Sequence, residues 1–187
     1  MKPEMNETQT DMPRGQMIRK EIFSWIRVLL FAAVAAFVIN NVLIVNAQVP
    51  TGSMRDTIAV QSRLVAFRLS YTFSEPERFD VIVFRFPEDE SELHVKRIIG
   101  MPGDTVDIIN GQIFINQGIA PLDEWYLPEP PREQNMSFQV PADHFFVMGD
   151  NRNYSLDSRG WSNPFLPREN ILGRAAFTYF PSIGIIR

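Results

Sequence analysis

The chain has 187 residues, room for one domain of ordinary size with a short appendage, and its 45% hydrophobic and 21% charged residues suffice for a buried core. A net charge of -4 and no Lys/Arg cluster argue against nucleic-acid binding. The absence of cysteine excludes disulfides, thiolate nucleophiles and cysteine-bound metals, and two histidines without a His-x-x-x-His spacing speak against zinc. Any chemistry must come from Ser, Thr, Lys, Asp, Glu or a lone His.

Residues 1–21 are polar, contain Pro3, Pro13 and Gly15, and read as a tail. Residues 22–45 are predominantly apolar, with an unbroken stretch from Val28 to Ile39. As a helix this segment rises about 36 Å, more than a hydrocarbon core of roughly 30 Å. Arg27 near one end can snorkel to headgroups, and Asn40 and Asn41 lie near the other. A buried core helix is one competing reading. A cleavable signal peptide is another, since Val45-Asn46-Ala47 resembles a small-residue cleavage site, but the segment outruns an apolar region of about 7 to 15 residues. The reading taken is a retained transmembrane helix over 22–45. Arg14, Arg19 and Lys20 precede it and favour a cytosolic N-terminus with 46–187 translocated, a bias that Arg55 and Arg63 weaken.

Beyond Thr51 the pattern changes to short β-branched and aromatic segments: Arg63–Leu69, Asp80–Phe86, Glu92–Ile99, Thr105–Ile109, Gln112–Ile115, His144–Met148 and Ala175–Phe180. Asn110-Gly111 between two of them is a strong hairpin signal. With 14 prolines and no convincing amphipathic helix, the body is predicted to be mainly antiparallel β. Pro128–Pro131 reads as a loop within an insertion.

Three stretches carry candidate chemistry. Lys96 lies in the apolar strand His94–Ile99, where alternation places Lys96 and Arg97 on opposite faces, so one of them must point inward if both faces are covered. A buried lysine loses its proton more easily and can act as a base, whereas a snorkelling lysine does nothing of the kind. Gly149–Arg159 packs charges and serines just after a strand, which a plain turn would also do. The third is Val49-Pro-Thr-Gly-Ser-Met-Arg-Asp-Thr-Ile58, with two hydroxyls, Thr51 and Ser53, around Gly52. A Ser-His-Asp triad using Ser53 with His94 or His144 remains an alternative that nothing in the sequence selects.

Pro50–Met54, the Arg78/Asp80–Phe84 strand, Val95–Asp104 and Gly149–Arg152 followed by Ser155–Arg159, in that order behind an apolar span, resemble the bacterial type I signal (leader) peptidases. The resemblance implies a serine endopeptidase that removes N-terminal signal peptides after Ala-x-Ala sites. Its nucleophile would be Ser53, its general base Lys96, and its oxyanion donors the Ser53 N–H and Thr51. Ser155 would orient the lysine amine, with Asp157, Arg159 and Asp150 as scaffold. Val49, Met54, Ile58, Val83 and Val95 would form the pocket for small side chains. It further implies an antiparallel β catalytic domain over 46–187 with a small β insertion at 106–143. No metal or organic cofactor would be needed. The partners would be signal peptides of preproteins, the lipid bilayer of a cell or thylakoid membrane, and the translocation machinery. Asp56 stands where the family usually has proline, Phe79 replaces a glycine, and 160–167 differs in spacing. A self-cleaving repressor-type Ser/Lys protease would carry a DNA-binding module in place of the anchor. A non-catalytic anchored β-domain that binds precursors is the rival from another class.

Overall fold

The structure, a computed structural model, describes residues 14–187. The predicted tail lies outside the described residues as far as Pro13. From Arg14 the chain is helical: α1 runs Arg14–Val38 and continues as a π-helical turn, Ile39–Leu43. Ile18–Leu43 is long and apolar enough to cross a membrane, with a mean hydropathy of 2.4, and it exposes Phe23, Leu29, Leu30, Phe31 and Phe37. An all-round apolar surface of this kind suits a lipid environment. The span predicted to reach Val45 ends earlier, because Ile44–Val49 forms strand β1. The reason is a change of period at Ile44: Val45, Ala47 and Val49 are buried while Asn46 and Gln48 are exposed, which is strand alternation.

Residues 40–187 form a compact unit of their own. Its elements in chain order are β1, β2 (Ser62–Phe67), the short α2 (Ser70–Phe73), β3 (Val81–Phe86), β4 (Asp89–Gly100), β5 (Thr105–Ile109), β6 (Gln112–Ile115), β7 (Met136–Gln139), β8 (His144–Met148), β9 (Leu166–Pro167), β10 (Ile171–Phe180) and β11 (Gly184–Ile185). Among the described residues they build an eight-stranded sheet in the order β1-β2-β10-β3-β4-β8-β9, with β11 paired to β10, and a three-stranded sheet in the order β6-β5-β7. All pairings are antiparallel. The fold is mainly antiparallel β, as the sequence predicts.

The hairpin β5–β6 turns at Asn110 and Gly111, both in the left-handed region at φ 52° and 83°. A Cβ on Gly111 would also lie 2.6 Å from the Arg132 carbonyl, so only glycine fits there. The smaller sheet occupies the region predicted as an insertion. Its Val106, Ile108 and Ile113 pack with Ile99, Phe146 and Met148 of the larger sheet. On β3, Val81 and Val83 enter one core cluster while Ile82 and Phe84 enter another, so this strand is covered on both faces. That double cover carries over to its neighbour β4, the strand that bears Lys96.

Candidate active site

Ser53 sits in the turn after β1, anchored by Met54 and Ile58, which are 0% and 1% exposed and belong to the core formed with Val49, Val83 and Val95. The Ile58 N–H donates to the Met54 carbonyl at 2.7 Å and the Arg55 N–H to the Gly52 carbonyl at 3.1 Å, which tightens the turn. Lys96 approaches from β4, paired with Ile82 of β3. Its Nζ lies 2.6 Å from Ser53 Oγ, and the Thr51 hydroxyl lies 3.3 Å from the same oxygen. Lys96 is 4% exposed. Burial pushes its amine from 10.5 down to about 8. The charge of Arg159 pulls the same way, and the carboxylates of Asp157 and Asp150 oppose it.

Lys96 and Arg97 leave β4 on opposite faces, and both are buried because both faces are covered. Arg97 donates through Nε and Nη2 to the Asp150 carboxylate at 2.9 and 2.6 Å and through Nη1 to the Phe79 carbonyl at 2.8 Å. Its guanidinium also lies 4.1 Å from the centre of the Tyr126 ring. Asp150 in turn accepts the Thr57 hydroxyl at 2.6 Å, which ties the nucleophile turn to the strand of the lysine. Asn151 adds two more links. Its backbone N–H donates to the Ser53 carbonyl at 3.0 Å, and its Nδ2 to the Gly52 carbonyl at 2.9 Å. Gly149 has no room for a side chain, since a Cβ would lie 2.2 Å from Ser155 Oγ and 2.5 Å from the Ser53 carbonyl oxygen.

Asp157 receives Arg159 Nε and Nη2, each at 2.8 Å, and the Gly149 N–H at 3.0 Å. Burial works to raise this carboxyl, but the Arg159 guanidinium and these hydrogen bonds outweigh it and hold the group below the usual carboxylate range. Ser155 differs from expectation. Its buried hydroxyl makes no bond to the lysine amine and instead faces Asp157, whose carboxyl it helps to hold low. The histidines of the alternative triad are engaged elsewhere. His94 stacks on Phe86 with centroids 4.5 Å apart and meets Glu92 at 3.2 Å, and His144 Nδ1 meets the Ala142 carbonyl at 2.7 Å.

Ser53 and Lys96 open onto a cleft of about 940 Å³, lined also by Val49, Pro50, Thr51, His94, Val95, Tyr154 and Leu156. Of the five residues expected to contact a substrate side chain, Val49 and Val95 line this cleft. Met54, Ile58 and Val83 do not; they are packed behind it in the core, with exposures of 0%, 1% and 0%. The sequence reading missed Arg97, Thr57 and Asn151 as parts of the site. Asn151 lay within the singled-out Gly149–Arg159 run, but a lone Asn in a turn-rich stretch carries no signal of its own.

Residues 22–180 match the signal peptidase (peptidase S26) family. The chain belongs to that family. Among its relatives, a signal peptidase I of Leptolyngbya laminosa is 39% identical over 83% of this chain and 78% of its own length. A probable signal peptidase I-1 of a Synechocystis strain is 38% identical over 84% and 82%. The crystal structure of a signal peptidase I from Enterococcus faecalis is 29% identical, covers 54% of this chain and 97% of its own, and superposes with a TM-score of 0.46.

Two departures from the signal peptidase pattern have a structural reading. Asp56, at the position where the resemblance implies a proline, has φ 78°, which a proline ring cannot adopt. Phe79, in place of a glycine, has φ 75°, a glycine-like backbone. Its ring packs edge-on to Tyr126 with centroids 5.9 Å apart, contact that helps to offset the strain. In the divergent 160–167 segment, Trp161 is buried against Phe84 and Phe86.

Proposed function

We propose that this chain is a membrane-anchored serine endopeptidase that cleaves signal peptides from translocated preproteins with Ser53 as nucleophile and Lys96 as base. The observation that carries this reading is the 2.6 Å approach of Lys96 Nζ to Ser53 Oγ inside a buried site that lowers the pKa of the amine to about 8. Ser53 Oγ attacks the scissile carbonyl carbon while its proton passes to the Lys96 amine. The resulting oxyanion is received by the Ser53 N–H and the Thr51 hydroxyl. Collapse breaks the C–N bond, and the Lys96 ammonium returns its proton to the leaving amine. A water then attacks the carbonyl carbon of the Ser53 ester, giving up a proton to Lys96. Collapse breaks the bond to Ser53 Oγ, the Lys96 ammonium returns its proton to that oxygen, and the signal peptide leaves as a carboxylic acid.

Asp150, Asp157 and Arg159 act as scaffold in this reading. Val49 and Val95 contact the small side chains of an Ala-x-Ala site, with Met54, Ile58 and Val83 packed behind them in the core. The helix is the anchor. Arg14, Arg19 and Lys20 favour a cytosolic N-terminus and an extracytoplasmic catalytic unit of a cell or thylakoid membrane, where signal peptides, lipid and the translocation machinery meet. Ser53→Ala and Lys96→Ala, in the full chain with a precursor bearing an Ala-x-Ala site, are each expected to abolish cleavage. Full activity in either variant overturns the dyad. A chain that binds the precursor without ever cutting it is instead a non-catalytic receptor.

A further inference from the structure

We propose that Asn151 is a positioning residue for the oxyanion donor, fixing the two peptide planes that flank the nucleophile. The proposal rests on the Ser53/Lys96 reading. In a trans peptide the C=O and N–H point in opposite directions, so whatever holds the carbonyl also aims the amide at the other end of the plane. The Gly52 carbonyl is held by two donors, the Arg55 N–H at 3.1 Å and Asn151 Nδ2 at 2.9 Å. The amide of that same plane is the Ser53 N–H, which donates to no group among the described residues. It is therefore left free for a substrate oxygen. The next plane is gripped as well, since the Ser53 carbonyl accepts the Asn151 backbone N–H at 3.0 Å. One residue thus holds the carbonyls on both sides of the Ser53 Cα.

The side chain of Asn151 is poorly arranged for stability alone. It is 3% exposed, and its Oδ1 is buried without a partner, a costly condition that an apolar side chain of similar size would avoid. What an apolar side chain cannot supply is the Nδ2 donor aimed at the Gly52 carbonyl. The opposite amide assignment would set oxygen against oxygen. The clamp is itself held fast: Asp150 before it is locked by Arg97, and Arg152 after it by Glu124 at 3.0 and 2.5 Å.

The test compares Asn151→Ala and Asn151→Asp with the parent chain and with Ser53→Ala, all full length. The probes are a precursor with an Ala-x-Ala site and a peptide boronic acid that forms a tetrahedral adduct on Ser53. Loss of a direct oxyanion donor lowers kcat about 10²- to 10³-fold, so misaiming one is expected to lower it roughly 10- to 100-fold. KM and the acid limb of the pH profile should not move, and boronate affinity should fall by the same factor as kcat/KM. Parent-like rates, an equal loss of affinity for the boronate and for the product peptide, or a shifted acid limb would each overturn the clamp. Should the variants fail to fold, the parent chain decides by NMR. On boronate binding the Ser53 amide and the Asn151 side-chain amide should shift together, and a shift of Ser53 with Asn151 unmoved refutes the proposal. An active Ser53→Ala sinks the underlying reading, whereas an inactive Ser53→Ala beside parent-like Asn151 variants sinks only the clamp.

Discussion

Acidifying the assay from pH 8 to pH 6 should lower kcat/KM roughly 50-fold if Lys96 is the base and titrates at about 8. The reactive species is the neutral amine. At pH 7 a lysine titrating at 10.5 is neutral in roughly 0.03% of molecules, while one titrating at 8 is neutral in about 10%, so burial raises the reactive fraction about 300-fold. The profile should climb nearly tenfold per pH unit up to about pH 7, bend near 8 and level off by about 9. Initial rates on a synthetic Ala-x-Ala precursor, measured from pH 5.5 to 10 at constant ionic strength, provide the assay. The cleft wall also carries Glu92, Tyr154 and His94; burial, and then the Lys96 charge, lower the His94 pKa against the pull of Glu92. His94→Gln should therefore leave the midpoint of the acid limb in place. A rate that keeps rising tenfold per unit between pH 9 and 10, or one flat between 6 and 8, would refute the buried-lysine argument.

Stability should show the same burial from the other side. The folded pKa of Lys96 lies below its unfolded value, so its burial costs stability below about pH 8, a cost that fades as pH rises toward 10.5. Lys96→Met should remove up to about 3 kcal/mol of this penalty at pH 7, less about 1 kcal/mol for the lost hydrogen bond, and raise Tm by several degrees. Calorimetry should show the gap closing between pH 8 and 10.5, and a gap that widens with pH contradicts the reasoning. Asp150→Ala strands the buried Arg97 and should cost about 3–5 kcal/mol in urea unfolding, and a loss below 1 kcal/mol would mean that Arg97 finds another partner. Gly149→Ala forces the Ser53 backbone to move and should cut kcat/KM by about 10²-fold. Gly52→Ala, whose Cβ meets nothing nearer than Val60 at 3.7 Å, should fold with an unchanged Tm.

Much of the β architecture is legible in the residues. β5, β6 and β8 fall on the predicted bounds, because Asn110-Gly111 and strong apolar runs mark them. β1 was hidden by its attachment to the apolar span, although the alternation Val45, Ala47, Val49 is a strand signal in its own right. β7 was missed because Met136–Gln139 is short and mostly exposed. In the site, residue types pointed to Ser53 and Lys96, but their 2.6 Å approach joins positions 43 apart in the chain and depends on how β4 meets the turn after β1. Alternation allowed for one inward member of the Lys96–Arg97 pair. It could not reveal that both faces of β4 are covered, which is why Arg97 went unassigned.

The smaller sheet and the loop that joins its strands β6 and β7 look dispensable on a topology diagram, yet trimming them would reach the reaction centre. Glu124 is the counter-ion of Arg152, and Tyr126 lies over Arg97 and donates to Glu124 at 2.9 Å. Glu129 and the Arg132 N–H hold Asn153 from the same segment. A shortened enzyme made by joining β5 directly to β8 would leave Arg152 buried and uncompensated beside Asn151. Such a minimised domain would need Arg152 replaced by an apolar residue in the same step, and the pair of changes, not the deletion alone, is the design to build.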